Sequence, residues 1–353
     1  MSSPLVTINL AVLNGGKYIR HCLESVLEQT YSHEFIELNI LDNGSTDKTK
    51  DIISEWQSFD KLRMPKFTFI KSKVNLGMWP GQEELLKHSA GKYIVVLAVD
   101  VILDENFLNN AIRAMEKDEK IGALQPKVFK YDLADLETVN RKLETKIIDT
   151  CGFEIYKSRR IINIGNGETD TGQFDREKEI FAVEGAVPVF RKDALEKSRI
   201  EGELVDHDYF WYSDDLDIAW RMRVFGWKQL FAPDVIAWHD RQTSKSSAAG
   251  KWWWNYIPRV KARHQIPIKK RGLEWRNTRF TIIKNDYTIN LLKDLPQILW
   301  REIKVFGYTV VFEPKVFLEV PMFLRLLSKM LKKRKQIMKR RIASPEEMRK
   351  WFK

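Results

Sequence analysis

Residues 4–44 read PLVTINLAVLNGGKYIRHCLESVLEQTYSHEFIELNILDNG, and their hydrophobic spacing changes twice. PLVTINLAVLN has the apolar, β-branched character of a buried strand and stops at Asn14, whereas KYIRHCLESVLEQTY (17–31) spaces its apolar residues as an amphipathic helix does. FIELNILDNG (35–44) is a second strand, closed by Asp42, Asn43 and Gly44. The alternation continues outward. STDKTKDIISEWQSF (45–59) predicts a helix capped by Ser45 or Thr46, FTFIK (67–71) a strand, MWPGQEELLKHSA (78–90) a helix and KYIVVLAVDVIL (92–103) a strand. Strand, helix, strand, helix implies an α/β chain: a mostly parallel, Rossmann-like central sheet flanked by helices, joined by right-handed crossovers.

In such sheets ligands bind outside the carboxyl ends of the strands. The polar residues expected there are Asn14, then Asp42 with Asn43 and Gly44, then Asn75 with Gly77, and finally Asp100. Singly these are ordinary turn residues. Four successive strand ends carrying them predict a binding rim. Asp100 stands out because LAVDVIL (97–103) is otherwise apolar, and a lone carboxylate there costs several kcal/mol unless something charged or hydrogen-bonding meets it.

Beyond residue 119 the pattern loosens. Residues 119–190 are read as a long loop or small hairpins, with glycine-rich NIGNGETDTGQFD (163–175) ahead of IFAVEGAVPVFR (180–191), a strand ending near Arg191. Asp170, Gln173 and Asp175 on the glycine-rich segment are candidate ligand-binding side chains. In SDDLDIAWRMRVFGWKQLFAPDVIAWH (213–239), Ser213 is placed to cap a helix whose first turn holds Asp214, Asp215 and Asp217, which the helix dipole favours. Asp217 and Arg221 stand four apart, as an ion pair on one face requires. Gly226 ends that helix, and His239 closes the apolar segment after it.

The 353 residues carry a net charge of +11, unevenly placed: residues 301–353 hold 15 Lys and Arg against 5 Asp and Glu, the rest 44 against 43. KWWWNYIPRVKARHQIPIKKR (251–271), LLKDLPQILWREIKVFGYTVVF (291–312) and FLEVPMFLRLLSKMLKKRKQIMKRR (317–341) join aromatic and leucine faces to basic ones. Such helices suit an anionic membrane surface, or pack their apolar stripe on the rest of the protein. The expected division is therefore a catalytic domain at 1–245 and a basic, Trp-rich helical region at 246–353. No apolar run reaches the roughly 18 residues of a membrane span, and no secretory leader is apparent. Cys22 and Cys151 alone give no disulfide framework and point to a reducing compartment, so the expected location is cytoplasmic, peripheral on the inner face of the membrane.

The blocks VLNGGKYIRHCLESVLEQTY, ILDNGSTDKT, NLGMWPG, VVLAVDVIL, VEGAVPVFR and YSDDLDIAWRMRVFGWKQLFAPDVIAWH, in this order, resemble family 2 glycosyltransferases of the inverting GT-A fold, particularly the rhamnosyltransferase-like branch. The likeness spans about residues 5–245. It implies that Asn14, Asp42, Asn75 and Gly77 bind the nucleotide, with Asp42 accepting the imide N–H of a uracil or thymine ring. The family usually ends the Asp100 strand with two acids around one residue to hold a divalent cation; here the first position is Ala98. Asp100 would then share Mg²⁺ or Mn²⁺ with His239, diphosphate and water completing the shell. The resemblance makes Asp215 the catalytic base and Asp214 its neighbour, with Gly185, Arg221, Arg223, Asp217 and Asp175 as sugar, acceptor or phosphate candidates. The donor would be dTDP-rhamnose or a UDP-hexose, and the acceptor a cell-surface glycan precursor on a polyprenyl carrier.

Rival classes fit less of the chain. A nucleotidyltransferase wants a glycine-rich basic loop after the first strand, where NGGKYIRH stands, and a dinucleotide oxidoreductase wants G-x-G-x-x-G there. Nucleic-acid binding would explain the basic tail but not the rim, and none is expected. The loss of an acid at Ala98 leaves one alternative, a catalytically inactive transferase-like protein that binds nucleotide or glycan.

Overall fold

A computed structural model of the chain describes residues 3–60, 66–134, 143, 145–241, 260, 261 and 263–353. The first half alternates as its sequence spacing predicts: β1 (Val6–Val12), α1 (Ile19–Leu27), β2 (Ile36–Asp42), α2 (Thr49–Asp60), β3 (Lys66–Lys71), α3 (Met78–Leu86) and β4 (Tyr93–Leu97). β1 lies between β2 and β4, parallel to both, and β3 pairs parallel with β2. Val6, Ile8 and Leu10 are wholly buried beneath α1 and its neighbours, as are Ile36, Leu38 and Ile40. A side chain of this size buried so completely contributes roughly 1.5–3 kcal/mol.

LAVDVIL is not one strand. β4 stops at Leu97, the Val101 N–H bonds back to the Ala98 carbonyl, and a separate β5 (Val101–Leu103) then runs antiparallel to a later strand. Asp100 therefore sits in a turn between β4 and β5, not within a strand. The caps expected at Ser45 and Thr46 are also displaced. Both residues bond to Asn14, and it is Asp47 whose Oδ1 accepts the Thr49 N–H at 3.1 Å where the helix begins.

After α4 (Phe107–Met115), the segment read as loop contains a core strand, β6 (Ile121–Lys130). Next come β7 (Ile148–Thr150), the hairpin β8 (Phe153–Ile155) with β9 (Ile161–Asn163), β10 (Lys178–Glu179) and β11 (Val189–Arg191), which ends at Arg191 as expected. α5 (Lys192–Lys197) and α6 (Asp214–Val224) precede β12 (Lys228–His239). The main sheet orders its strands β10-β12-β6-β11-β4-β1-β2-β3, with β5 on β12 and β7 on β6. Pro126 lies within β6, opposite a register shift in β12 between Ala232 and Ile236, which is where a residue without an N–H is tolerated.

The tail forms α7 (Ile268–Asn285), α8 (Thr288–Lys293), α9 (Leu295–Phe312), α10 (Val320–Lys339) and α11 (Pro345–Arg349). The expected boundary at 245, and the run Trp252–Trp254, lie outside the described residues. The helices beyond are knitted into the sheet. Tyr287, Ile337, Met348 and Phe352 join the core formed by Trp220, Phe181 and Phe190, and Arg159, wholly buried, pairs with Asp286 at 2.6 Å and Asp294 at 2.8 Å. Among the described residues no helix is long and apolar enough to cross a membrane.

Candidate active site

Two strand ends, those of β2 and β3, are sewn together by one side chain that the sequence reading placed on the rim without a role. Asn43, buried after β2, donates to Asn75 Oδ1 at 3.1 Å and to the Gly77 carbonyl at 2.9 Å, and accepts the Leu76 N–H at 2.8 Å. Asn14, left-handed at φ 52°, donates its N–H to Ser45 Oγ at 2.9 Å and accepts the Thr46 N–H on Oδ1 at 2.9 Å. Asp42 is buried beside them. Its Oδ1 accepts the Ser45 N–H at 3.1 Å, while Oδ2 makes no hydrogen bond and lies 3.5 Å from Lys50 Nζ. A buried carboxylate oxygen with spare acceptor capacity suits an N–H donor of a ligand.

Gly77 joins this rim to the second half of the site. Its φ is +93°, and a Cβ there would stand 2.7 Å from the Phe210 carbonyl oxygen, so glycine is demanded both by conformation and by space. Phe210 opens a loop in which Phe210, Tyr212 and Ser213 all take positive φ, at 63°, 71° and 64°. Non-glycine residues held this way store strain and need outside restraint. The restraint comes from α7: the wholly buried Asn277 amide donates to the carbonyls of Tyr209 (3.1 Å), Trp211 (2.7 Å) and Tyr212 (3.1 Å). Ser213 precedes α6 but caps nothing with its side chain, since Ser213 Oγ pairs with Thr278 Oγ1 at 3.1 Å.

That loop delivers α6 to a cleft of about 550 Å³ whose walls include Ala98, Asp100, Gly185, Asp214, Asp215 and His239. Residues more than a hundred positions apart thus meet, at a size ordinary for a ligand site. Asp215 Oδ2 accepts the Gly185 N–H at 3.0 Å and Oδ1 accepts its neighbour's N–H, that of Leu216, at 2.8 Å. Burial first, and then the charge of Glu184, push its carboxyl up to about 7, against the pull of those two N–H groups. Asp214 is buried beside it and is also raised well above the ordinary carboxylate range, by burial and by the charges of Asp215 and Asp217. A carboxylate poised near neutrality is what proton transfer at physiological pH asks for.

In the same cleft His239 Nε2 faces Asp100 Oδ2 at 3.5 Å, while Nδ1 lies 2.9 Å from Asp149 Oδ2. Arg241 continues the chain, donating to Asp149 at 2.9 Å and to Glu184 at 2.7 Å. Burial alone would lower the His239 imidazole; the Asp100 charge and the bonds to both carboxylates raise it to about 9. Asp149, Glu184 and Arg241 are the functional neighbours that sequence reasoning missed. Glu184 and Arg241 stand beside motif residues already singled out, Gly185 and His239, whereas Asp149 in KIIDTCGF carries no local signal.

Other candidates are not brought to the cleft. Asp217 is buried and bonded to Arg221 (2.7 Å), Lys284 (2.9 Å) and Asn285 (2.7 Å), and Arg221 spends its other donors on the Ser198 and Leu204 carbonyls. The expected Asp217–Arg221 pair forms, as part of a buried frame. Arg223 is likewise consumed, by Glu179 and the Phe181 carbonyl, under the Trp351 ring. Asp170 and Asp175 both grip Lys127, at 2.8 and 2.5 Å, and Gln173 bonds within its own loop. These six side chains hold the frame rather than line the cleft.

The donor set on the cleft wall suits a hard divalent cation, an oxygen from Asp100 and an imidazole nitrogen from His239. Asp149 on the far ring nitrogen is the outer partner that ligating histidines habitually have. Among the described residues no group of three His, Cys, Asp or Glu converges for metal binding, so diphosphate and water would supply the remaining ligands.

A family model described as Glycosyl transferase family 2 matches residues 7–198. An uncharacterized glycosyltransferase of Methanocaldococcus jannaschii is 32% identical over 133 residues, 37% of this chain and 44% of that one. Dolichyl N-acetyl-alpha-D-glucosaminyl phosphate 3-beta-D-2,3-diacetamido-2,3-dideoxy-beta-D-glucuronosyltransferase of Methanococcus voltae is 30% identical over 118 residues, 33% of this chain and 35% of that one. The chain thus spans less than half the length of either relative. The crystal structure of GalNAc-T7 with UDP, GalNAc and Mn²⁺ superposes with a TM-score of 0.60 at 12% identity, covering 98% of this chain and 56% of that one. At that identity the likeness is one of fold, a mostly parallel sheet of the GT-A type with a helical C-terminal region.

Proposed function

The chain belongs to glycosyl transferase family 2, and on that premise we propose that it moves a sugar, with inversion, from a nucleotide diphosphate donor to a hydroxyl of a glycan precursor. The observation that carries the reading is the meeting of Asp215 with Asp100 and His239 in one cleft beside the Asn14–Asp42–Asn75 rim. The acceptor O–H gives its proton to Asp215, its oxygen bonds to the anomeric carbon, and the carbon–oxygen bond to the diphosphate breaks on the opposite face. Nucleoside diphosphate leaves with the electron pair. Asp100 and His239 are the residues that would hold Mg²⁺ or Mn²⁺, which when bound neutralises charge on the diphosphate. Asp42 receives the base through its unmet oxygen, and Gly77 lets the backbone approach.

The donor is dTDP-rhamnose or a UDP-hexose, by the rhamnosyltransferase-like character of the motifs. The acceptor is carried on a polyprenyl lipid at the cytoplasmic, anionic face of a membrane. The basic tail supports this placement, as does the dolichyl-linked substrate in the name of the M. voltae relative. Asp217, Arg221 and Asp175 act at a distance, by holding α6 and the glycine-rich loop.

The test is nucleoside diphosphate release from a panel of nucleotide sugars with Mn²⁺, with and without lipid-linked acceptors, for wild type and Asp215→Asn. Release that depends on acceptor and disappears in the variant is expected. A second reading, a transferase-like protein that binds nucleotide or glycan without turnover, rests on Ala98 in place of an acid. Saturable binding with no release from any donor would favour it.

A further inference from the structure

α9 is an 18-residue helix with one buried residue, Thr309. Leu299, Ile303, Phe306 and Val310 recur at i, i+4, i+7 and i+11, the spacing of one helical face, and are 52%, 61%, 62% and 48% exposed. Trp300 beside them is 61% exposed, and Leu318 and Leu324 extend the apolar surface beyond the helix's end. A soluble monomer rarely leaves so continuous a patch to water. The same segment carries exposed Lys304, Lys315, Arg325, Lys332 and Lys335, none of them ion-paired among the described residues, within the stretch that holds nearly all the net positive charge. At one point the helix touches the cleft: Arg301, between Trp300 and Glu302, lines it together with Arg160.

We propose that α9 is a docking helix for an anionic lipid surface, lying flat with its Leu299–Val310 face in the headgroup region and so holding the cleft, which Arg301 on the helix's opposite side lines, about 10 Å above that face. Apolar side chains entering the interface supply the attraction; the neighbouring cations select acidic headgroups and make the binding salt-sensitive. This deepens the reading of a lipid-carried acceptor and rests on it for its purpose. The acceptor's phosphate would arrive at Arg301 and Arg160 while its hydrocarbon stays in the membrane.

The test is sedimentation of the full chain with phosphatidylcholine vesicles, with and without phosphatidylglycerol, at low and high salt. The triple variant Leu299→Glu, Ile303→Glu, Val310→Glu is run beside it, its fold checked by circular dichroism. Wild type should follow the acidic vesicles at low salt and detach at high salt, and the variant should bind about tenfold more weakly or worse. Its donor turnover with a water-soluble acceptor should be unchanged. Wild type that ignores acidic vesicles, or a variant that binds them as wild type does, overturns the proposal. So does a lipid-free dimer in sedimentation velocity that the variant dissociates, for the face would then belong to a second copy. Failure here with soluble-acceptor turnover intact condemns only the docking; vesicle binding with no turnover from any donor condemns the transferase reading instead.

Discussion

Asp215 is held ready by a conflict: two N–H groups favour its charge, while burial and Glu184 oppose it more strongly. As a base it works deprotonated, so activity at low substrate should rise through about pH 7 and level off above it. Asp215→Asn should lower kcat by roughly 10²–10⁴-fold and leave nucleotide affinity, read by titration calorimetry, nearly intact. Stability should respond in the opposite sense. The folded-state value lies above the ordinary 3.8, so the stability this proton gives is full below pH 4 and is lost as pH rises through about 7. Asp215→Asn should therefore melt higher than wild type at pH 8, and melting curves should converge toward pH 4. Behind His239, Asp149→Asn removes the charge that fixes the ring while keeping its shape. Mn²⁺ affinity, measured by calorimetry in the presence of nucleoside diphosphate, should fall 10- to 100-fold, by about the margin seen for outer partners of ligating histidines.

At the scale of elements, α7 is a clamp on the loop that presents the base. Asn277→Leu should leave the Trp211 and Tyr212 carbonyls without their donor and that of Tyr209 with only Arg276 at 3.5 Å, at about 1–3 kcal/mol, and let the left-handed turn at Phe210–Ser213 relax. The expected outcome is a fall in kcat with donor KM little changed, while Asn277→Asp, which keeps shape but not donors, behaves like the leucine variant. Nothing in the sequence of α7 announces this, because the contact links residues 277 and 211 through backbone oxygens, which every residue has. The first hundred residues were legible for the contrary reason: spacing alone separates β1, α1 and β2. β6 was not, because IGALQPKVFK interrupts its apolar run with glycine, glutamine, proline and lysine, and it is pairing with β12 on one side and β11 on the other that makes it a strand. Asp100, Asp215 and His239 could be singled out because motif blocks carry them. Asp149 could not, since its importance comes solely from standing against His239.

Across the whole molecule the tail is part of the fold. Arg159, from the turn between β8 and β9, reaches Asp286 and Asp294 and lies 4.1 Å from the centre of the Phe352 ring. Arg159→Leu would strand buried Asp286, leave Asp294 with Arg349 alone at 2.6 Å, and should cost about 3–5 kcal/mol, visible as a large drop in the midpoint of a single cooperative denaturation curve. A chain ending at residue 241 would expose Trp220 and Phe181 and uncover Asp217 and Asp206, whose amine partner Lys284 departs with α7. It should aggregate rather than yield a free catalytic unit.

The contact between Gly77 and Phe210 has a kinetic consequence. Where not even a methyl group fits between them, the two segments cannot shift independently, and whatever settles against one is felt as pressure by the other. Initial-rate patterns should accordingly be sequential, with nucleotide sugar entering first. Gly77→Ala should blur that order, letting acceptor compete with the empty enzyme where before it waited its turn.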